Sequence, residues 1–124
     1  MGFDAAYTDY MKSHLEGETF FENEQYLEAI HCFGKAMHIA RSLMGDALFA
    51  QFARSLMGDA LFAVAHCYRQ MALENDSEHY TRRAVHFYEK AVIGNPTLSE
   101  HSRSFADIQD IRSLLRQCPC TCSD

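Results

Sequence analysis

A chain of 124 residues, 48% of them apolar, is long enough for one domain with a real core. Only two prolines are present, and Ala, Leu, Met, Glu, Arg and Gln outnumber β-branched residues, which favours helix and argues against a sheet. The net charge of −6 argues against nucleic acid as a partner, since that needs clustered basic side chains, and no run of about 18 apolar residues is present to cross a membrane.

The first predicted helix runs from Ala5 to Glu22, with Tyr7, Tyr10, Met11, Leu15 and Phe21 at helical spacing. Asn23 ends it. The second, Tyr26 to Leu43, carries Tyr26, Ile30, Phe33, Met37 and Ala40 on one stripe, with Glu28, His31, Lys35 and His38 mostly opposite. The short link between the two predicts antiparallel packing. A later helix spans Ser77 to Ile93, with Tyr80, Ala84, Phe87, Tyr88 and Ala91, and Gly94-Asn95-Pro96 stops it. Ser99 caps a last predicted helix to about Gln117, whose apolar side is Phe105, Ile108, Ile111, Leu114 and Leu115. One domain is therefore expected over residues 1–117, followed by a short cysteine-rich tail, 118–124.

Between the second helix and Ser77 lies the oddest stretch. The eleven residues Ala40–Ala50, ARSLMGDALFA, recur unchanged as Ala53–Ala63, at an offset of 13. Such a copy looks like a tandem duplication within one element rather than a second module. Thirteen residues turn a helix about 220° beyond whole turns, so the two copies cannot show the same face on one straight helix. Three arrangements follow: a turn at Gly45-Asp46 with one long helix from about Asp46 to Glu74, a turn at Gly58-Asp59 that lengthens the preceding helix, or turns at both. The first is favoured, because Phe49, Phe52, Leu56, Ala60, Ala63, Cys67 and Met71 then form a continuous apolar stripe, and a glycine inside a helix costs only about 1 kcal/mol.

The residues Gly17, Phe20, Tyr26, Ala29, Phe33 and Ala36, and above all the phrase Tyr26–Ala36 (YLEAIHCFGKA), resemble the tetratricopeptide repeat. A second unit is similar in Ala84, Tyr88, Ala91 and Pro96. Small alanines let paired helices approach, aromatics fill the gaps and proline ends the second helix of a pair. The resemblance covers roughly residues 11–96. It implies an all-α fold of about five helices in antiparallel hairpins, the last closing the array. Tyr68 and Ala84 lie farther apart than a standard unit allows, which implies elongated helices or a longer loop.

The resemblance also implies a peptide groove on the first helix of each pair. Matched by position, that groove holds His14, Glu18 and Phe21, then Phe62, His66 and Arg69. The alternative for Phe62 is packing on a neighbouring helix. Where the family's carboxylate clamp uses lysine and asparagine, this chain has His14, Glu18 and Ala63, so a chaperone's C-terminal carboxylate is not the expected ligand.

The inserted block adds Leu48, Phe49, Phe52, Leu56 and Met57, whose burial is worth at most about 7–15 kcal/mol together. A two-unit domain has no evident space for them. They are therefore expected at a contact between chains, by dimerisation or exchange of helices, unless they pack under the terminal helix of the same chain.

No catalytic constellation is found. Cys32 and Cys67 each adjoin a histidine, but neighbouring helical residues diverge by about 100° and make no dyad; both read as core thiols. The pairs His31/His38 and His79/His86 are two turns apart, too far for one metal. Cys118-Pro-Cys-Thr-Cys122 alternates thiols able to bind a soft metal, yet its spacing and three ligands do not suit a structural zinc site. The odd cysteine count is no disulfide framework. The expected protein is a cytoplasmic, non-catalytic module with no metal or cofactor, no nucleic acid and no membrane contact, which binds a protein or peptide.

Overall fold

The computed structural model describes residues 2–75 and 77–94, and every regular element in them is an α-helix. Four helices follow in order: α1 (Phe3–Glu22), α2 (Tyr26–Leu43), α3 (Ala50–Asn75) and α4 (Glu78–Gly94). Each packs mainly on the next, in antiparallel hairpins joined by short connections. The predicted helix from Ser99, Pro96 and the cysteine tail lie outside the described residues.

The first connection is built by a single backbone device. Glu24 takes a left-handed conformation (φ 63°), the one non-glycine residue among those described to do so. Its N–H donates to the Phe21 carbonyl (3.0 Å) and that of Gln25 to the Phe20 carbonyl (2.9 Å), the paired bonds that close a helix C-terminus and reverse the chain. The third connection uses Ser77, whose hydroxyl lies 3.4 Å from the Tyr80 N–H and whose carbonyl accepts from the backbone of Thr81 (3.1 Å).

Alanines set the spacing between helices. Ala29, Ala36 and Ala40 on α2, Ala60 and Ala65 on α3, and Ala84 and Ala91 on α4 are all fully buried. Phe33, Val64, Cys67, Met71 and Tyr26 fill the space between them. α1 comes so close to α2 at Gly17 that a Cβ there would stand 2.6–2.9 Å from three atoms of the Phe33 ring. The extra length between Tyr68 and Ala84 is taken up as helix, since α3 reaches Asn75 and α4 begins at Glu78.

The turn falls at the first Gly-Asp, and α3 is the long helix. It starts at Ala50 rather than near Asp46, because the Asp46 carboxylate accepts the Leu48 N–H (2.9 Å) and holds residues 46–49 in a turn first. The apolar stripe is also displaced. Ala53, Leu56, Gly58, Ala60, Leu61, Val64, Ala65, Cys67, Met71 and Ala72 are buried, while Phe52, expected in the stripe, is 44% exposed.

The space judged missing for the inserted block exists within the chain. Phe3 stacks on Phe49 (ring centroids 4.3 Å apart) and leans on Phe52 (5.6 Å), and Tyr7 meets Phe52 (5.6 Å). The buried Tyr10 hydroxyl donates to the Leu56 carbonyl (2.7 Å). Leu56 is only 6% exposed, and Met57 packs partly buried with it beside Ala36, Ala40 and Ala60. The first turns of α1 and the end of α2 thus cover most of what the duplication adds. Leu48 remains 81% exposed.

Candidate functional site

The contacts climb α1 and α3 together, from Phe3 to Phe49 just before α3, then Tyr7 to Phe52 and Tyr10 to Leu56, so the two helices run side by side in the same direction. Between them lies a concavity of about 700 Å³. Its floor is apolar: Tyr10 and Phe33, each 2% exposed, with Leu56. Phe21, Phe62 and Ala63 add half-buried apolar surface along its sides.

One wall is a row on α1. His14, Glu18 and Glu22 follow at four-residue intervals, which places them one above another on a helix. The His14 Nδ1 lies 3.0 Å from a Glu18 carboxylate oxygen, and the His14 ring meets the Phe33 ring edge-on at 5.1 Å. The imidazole is thereby fixed in the wall.

The other wall is α3, with Asp59, Phe62 and His66. Phe62 takes part in both arrangements considered for it. It lines the groove, and its ring also stands edge-on to Tyr88 of α4 (5.3 Å) and to His66 (4.5 Å). The Tyr88 hydroxyl and His66 Nδ1 are 3.0 Å apart, so the fully buried Tyr88 braces Phe62 and His66.

Five of the six residues assigned to the groove, His14, Glu18, Phe21, Phe62 and His66, therefore line one concavity. Arg69 does not; it is half-buried on α3, one turn beyond His66. Sequence reasoning missed Tyr7, Tyr10, Met11, Glu22, Phe33, Phe52, Leu56 and Asp59 in this lining. The four-residue rhythm from Tyr10 through His14 and Glu18 to Glu22 was the signal for the α1 wall. Asp59 faces the concavity because the second Gly-Asp stays helical, the arrangement favoured from the sequence.

Burial pushes the Tyr10 hydroxyl well above the usual phenol range, and the nearby charge of Asp59, then Tyr7 and Glu18, adds to it. Carboxylates from both walls thus act on one point of the floor. The buried Cys67 thiol is pushed up to about 12 by desolvation, and Cys32 is raised chiefly for the same reason. Both shifts disfavour the thiolate that nucleophilic or metal-binding chemistry needs. Among the described residues no cluster of three or more His, Cys, Asp or Glu is placed to hold a metal.

No protein-family model matches this chain, and no curated protein or solved structure is significantly similar to it.

Proposed function

We propose that this chain is a tetratricopeptide-like, non-catalytic interaction module, an adaptor or scaffold that binds a peptide or helix in the groove between α1 and α3. The observation that carries the reading is the meeting, in one concavity of about 700 Å³ with an apolar floor, of five residues that the resemblance assigned to the groove. A groove of this size, with a buried aromatic floor and polar groups along its edges, suits a side-chain-bearing segment. The raised thiols of Cys32 and Cys67 support a structural role for both, and their unpaired state suits a reducing, cytoplasmic compartment. No described helix is long and apolar enough to cross a membrane. The test is a pull-down from cell extract with the wild-type chain and with Phe62→Ala and His14→Ala. Partners recovered by the wild type are lost from both variants at unchanged helical content; equal recovery from all three would refute the groove.

A second reading, self-association, is favoured by a different observation. Leu48, Phe52 and Met44 are exposed around the connection from α2 to α3. Phe49 and Met57 are partly covered within the chain and Leu56 fully, so Leu48 and Phe52 would carry such a contact. Light scattering on the full chain and on one lacking residues 40–52 separates the readings. Two monomers favour the groove, whereas a dimer that the deletion dissolves favours the exposed end.

A further inference from the structure

We infer that the outer face of α4 is a docking strip for an acidic helix of a partner protein, one that presents glutamate or aspartate at three- and four-residue intervals. The strip stands apart from the concavity and does not depend on it.

The first ground is a row of basic side chains. His79, Arg83, His86 and Lys90 follow at intervals of four, three and four residues, so they share one face of α4 over about 16 Å. All four are exposed. The buried Ala84, Tyr88 and Ala91 pack towards Leu61 and Ala65 of α3 from the opposite side of the helix. Arginine and lysine carry charge at neutral pH, and histidine adds to it when protonated.

The second ground is that the row is unanswered. Among the described residues no carboxylate pairs with any of its four members. The other charged residues of α4, Glu78, Arg82 and Glu89, are half-buried on an adjoining side, where Glu78 meets Arg82 at 2.7 Å. In a chain of net charge −6 the row is a local reversal of sign.

The third ground is that aromatic rings hold the row in place. Arg83 Cζ lies 5.0 Å from the centre of the Tyr68 ring and 5.8 Å from that of Phe87. These two rings are nearly parallel (9°), with centroids 5.5 Å apart. His86 stands edge-on to Phe87 at 5.3 Å, and His79 lies 5.5 Å from Tyr80. A guanidinium resting on a ring face keeps its N–H edges available to a carboxylate, and side chains already ordered lose less entropy on binding.

Charge and spacing together identify the occupant. A helix with carboxylates at the same intervals meets each basic group in turn along the strip. A single small anion reaches only one or two of the four. A long phosphate backbone runs past the row and meets the negative charge of the rest of the chain.

Four fluorescein-labelled probes test this: alanine-based helical peptides with glutamate, glutamine or lysine at those intervals, and a single-stranded oligonucleotide. Fluorescence anisotropy is measured on the full chain at low and high salt. The glutamate peptide should bind, less tightly at high salt, and the other probes about fivefold or more weaker. Arg83→Gln/Lys90→Gln should weaken the glutamate peptide by a similar factor, while Lys12→Gln/Lys35→Gln, at exposed lysines of α1 and α2, should not. Arg83→Glu/Lys90→Glu should turn the preference to the lysine peptide. Circular dichroism establishes that all variants keep their helices.

The assignment is overturned if the α4 variants leave the glutamate peptide unaffected, if the variant of α1 and α2 weakens it equally, or if no probe binds. Tighter binding of the oligonucleotide, lost with Arg83→Gln/Lys90→Gln, overturns the acidic helix in favour of a phosphate backbone. Phe62→Ala and His14→Ala leave the strip intact, so the groove reading stands or falls separately.

Discussion

Gly17 and Gly34 allow the same substitution to be tried in two environments. Both lie inside helices, where glycine is less favourable than alanine by about 1 kcal/mol, so on propensity alone each Gly→Ala change stabilises. At Gly34 an added Cβ meets nothing within 4 Å, and the full gain should appear. At Gly17 the Cβ meets Phe33 Cε1 at 2.6 Å, Cδ1 at 2.8 Å and Cζ at 2.9 Å. That ring cannot easily yield. It is buried against Tyr26, Ala29, Val64, Cys67 and Met71, and His14 stands edge-on to it. Forcing one carbon into such a site costs about 1–3 kcal/mol, and three close contacts place it in the upper part of that range. The propensity term cancels between the variants, so the difference in their stabilities is the steric cost itself. Gly34→Ala should gain about 1 kcal/mol and Gly17→Ala lose about 1–2 kcal/mol. Urea unfolding followed by helical ellipticity reads both, at constant m-value. If Gly17→Ala proved as stable as Gly34→Ala, the close approach of α1 to α2 at Phe33 would be refuted.

Glu24→Gly should stabilise by about 0.5–1 kcal/mol, because glycine accepts the left-handed conformation that glutamate holds under strain; a lower urea midpoint would contradict the described connection. Tyr10→Phe should cost about 1 kcal/mol by removing the buried hydroxyl bond to the Leu56 carbonyl, and an unchanged midpoint would show that bond to be idle. Cys67 keeps its proton in the fold to about 12, whereas the unfolded chain releases it from its ordinary value near about 8.5. Its contribution to stability is therefore complete below the unfolded value and is lost as pH rises towards about 12, at up to about 1.4 kcal/mol per pH unit. Mass spectrometry after iodoacetamide treatment at pH 8 should find the Cys67 peptide unmodified in the native chain and modified in urea, and rapid native labelling would contradict the buried thiol.

Residues whose partners are near in sequence were the legible ones. The bounds of α2 are those expected from its stripe, and α4 is displaced by one residue at each end. The small and aromatic positions of Tyr26, Ala29, Phe33, Ala36, Ala84, Tyr88 and Ala91 are all buried. What could not be read depended on a distant element. Leu15 fits the apolar spacing of α1 yet is exposed, because the α1 surface that meets α2 and α3 runs through Tyr10 and Gly17 instead. Phe3 stood outside the expected helix, and its stacking on Phe49 requires that α1 and α3 run side by side. Arg69 was matched by position from Tyr68 within one unit, whereas the lining of the concavity is set by which α3 residues face α1.

The duplicated block shows how far local sequence determines structure. Ala40–Ala50 forms the end of α2, a turn and the first residue of α3, while the identical Ala53–Ala63 is helical throughout. Propensity is the same in both copies, so the difference comes from their surroundings. In the second copy Ala53, Leu56, Ala60 and Leu61 are buried; the corresponding Leu43 is half-buried, and Ala47 and Leu48 are exposed. Gly58 accepts the helical cost of about 1 kcal/mol because burial on either side of it outweighs that cost several-fold. Gly45 has no such cover and lies in the turn that Asp46 holds. The same helical choice places the second copy's aspartate, Asp59, in the wall of the groove, where the first copy's Asp46 holds the turn through the Leu48 N–H. A duplication that left the local code unchanged thereby assigned one residue type two tasks. The carboxylate facing the groove from α3 is there because the turn formed at the earlier copy.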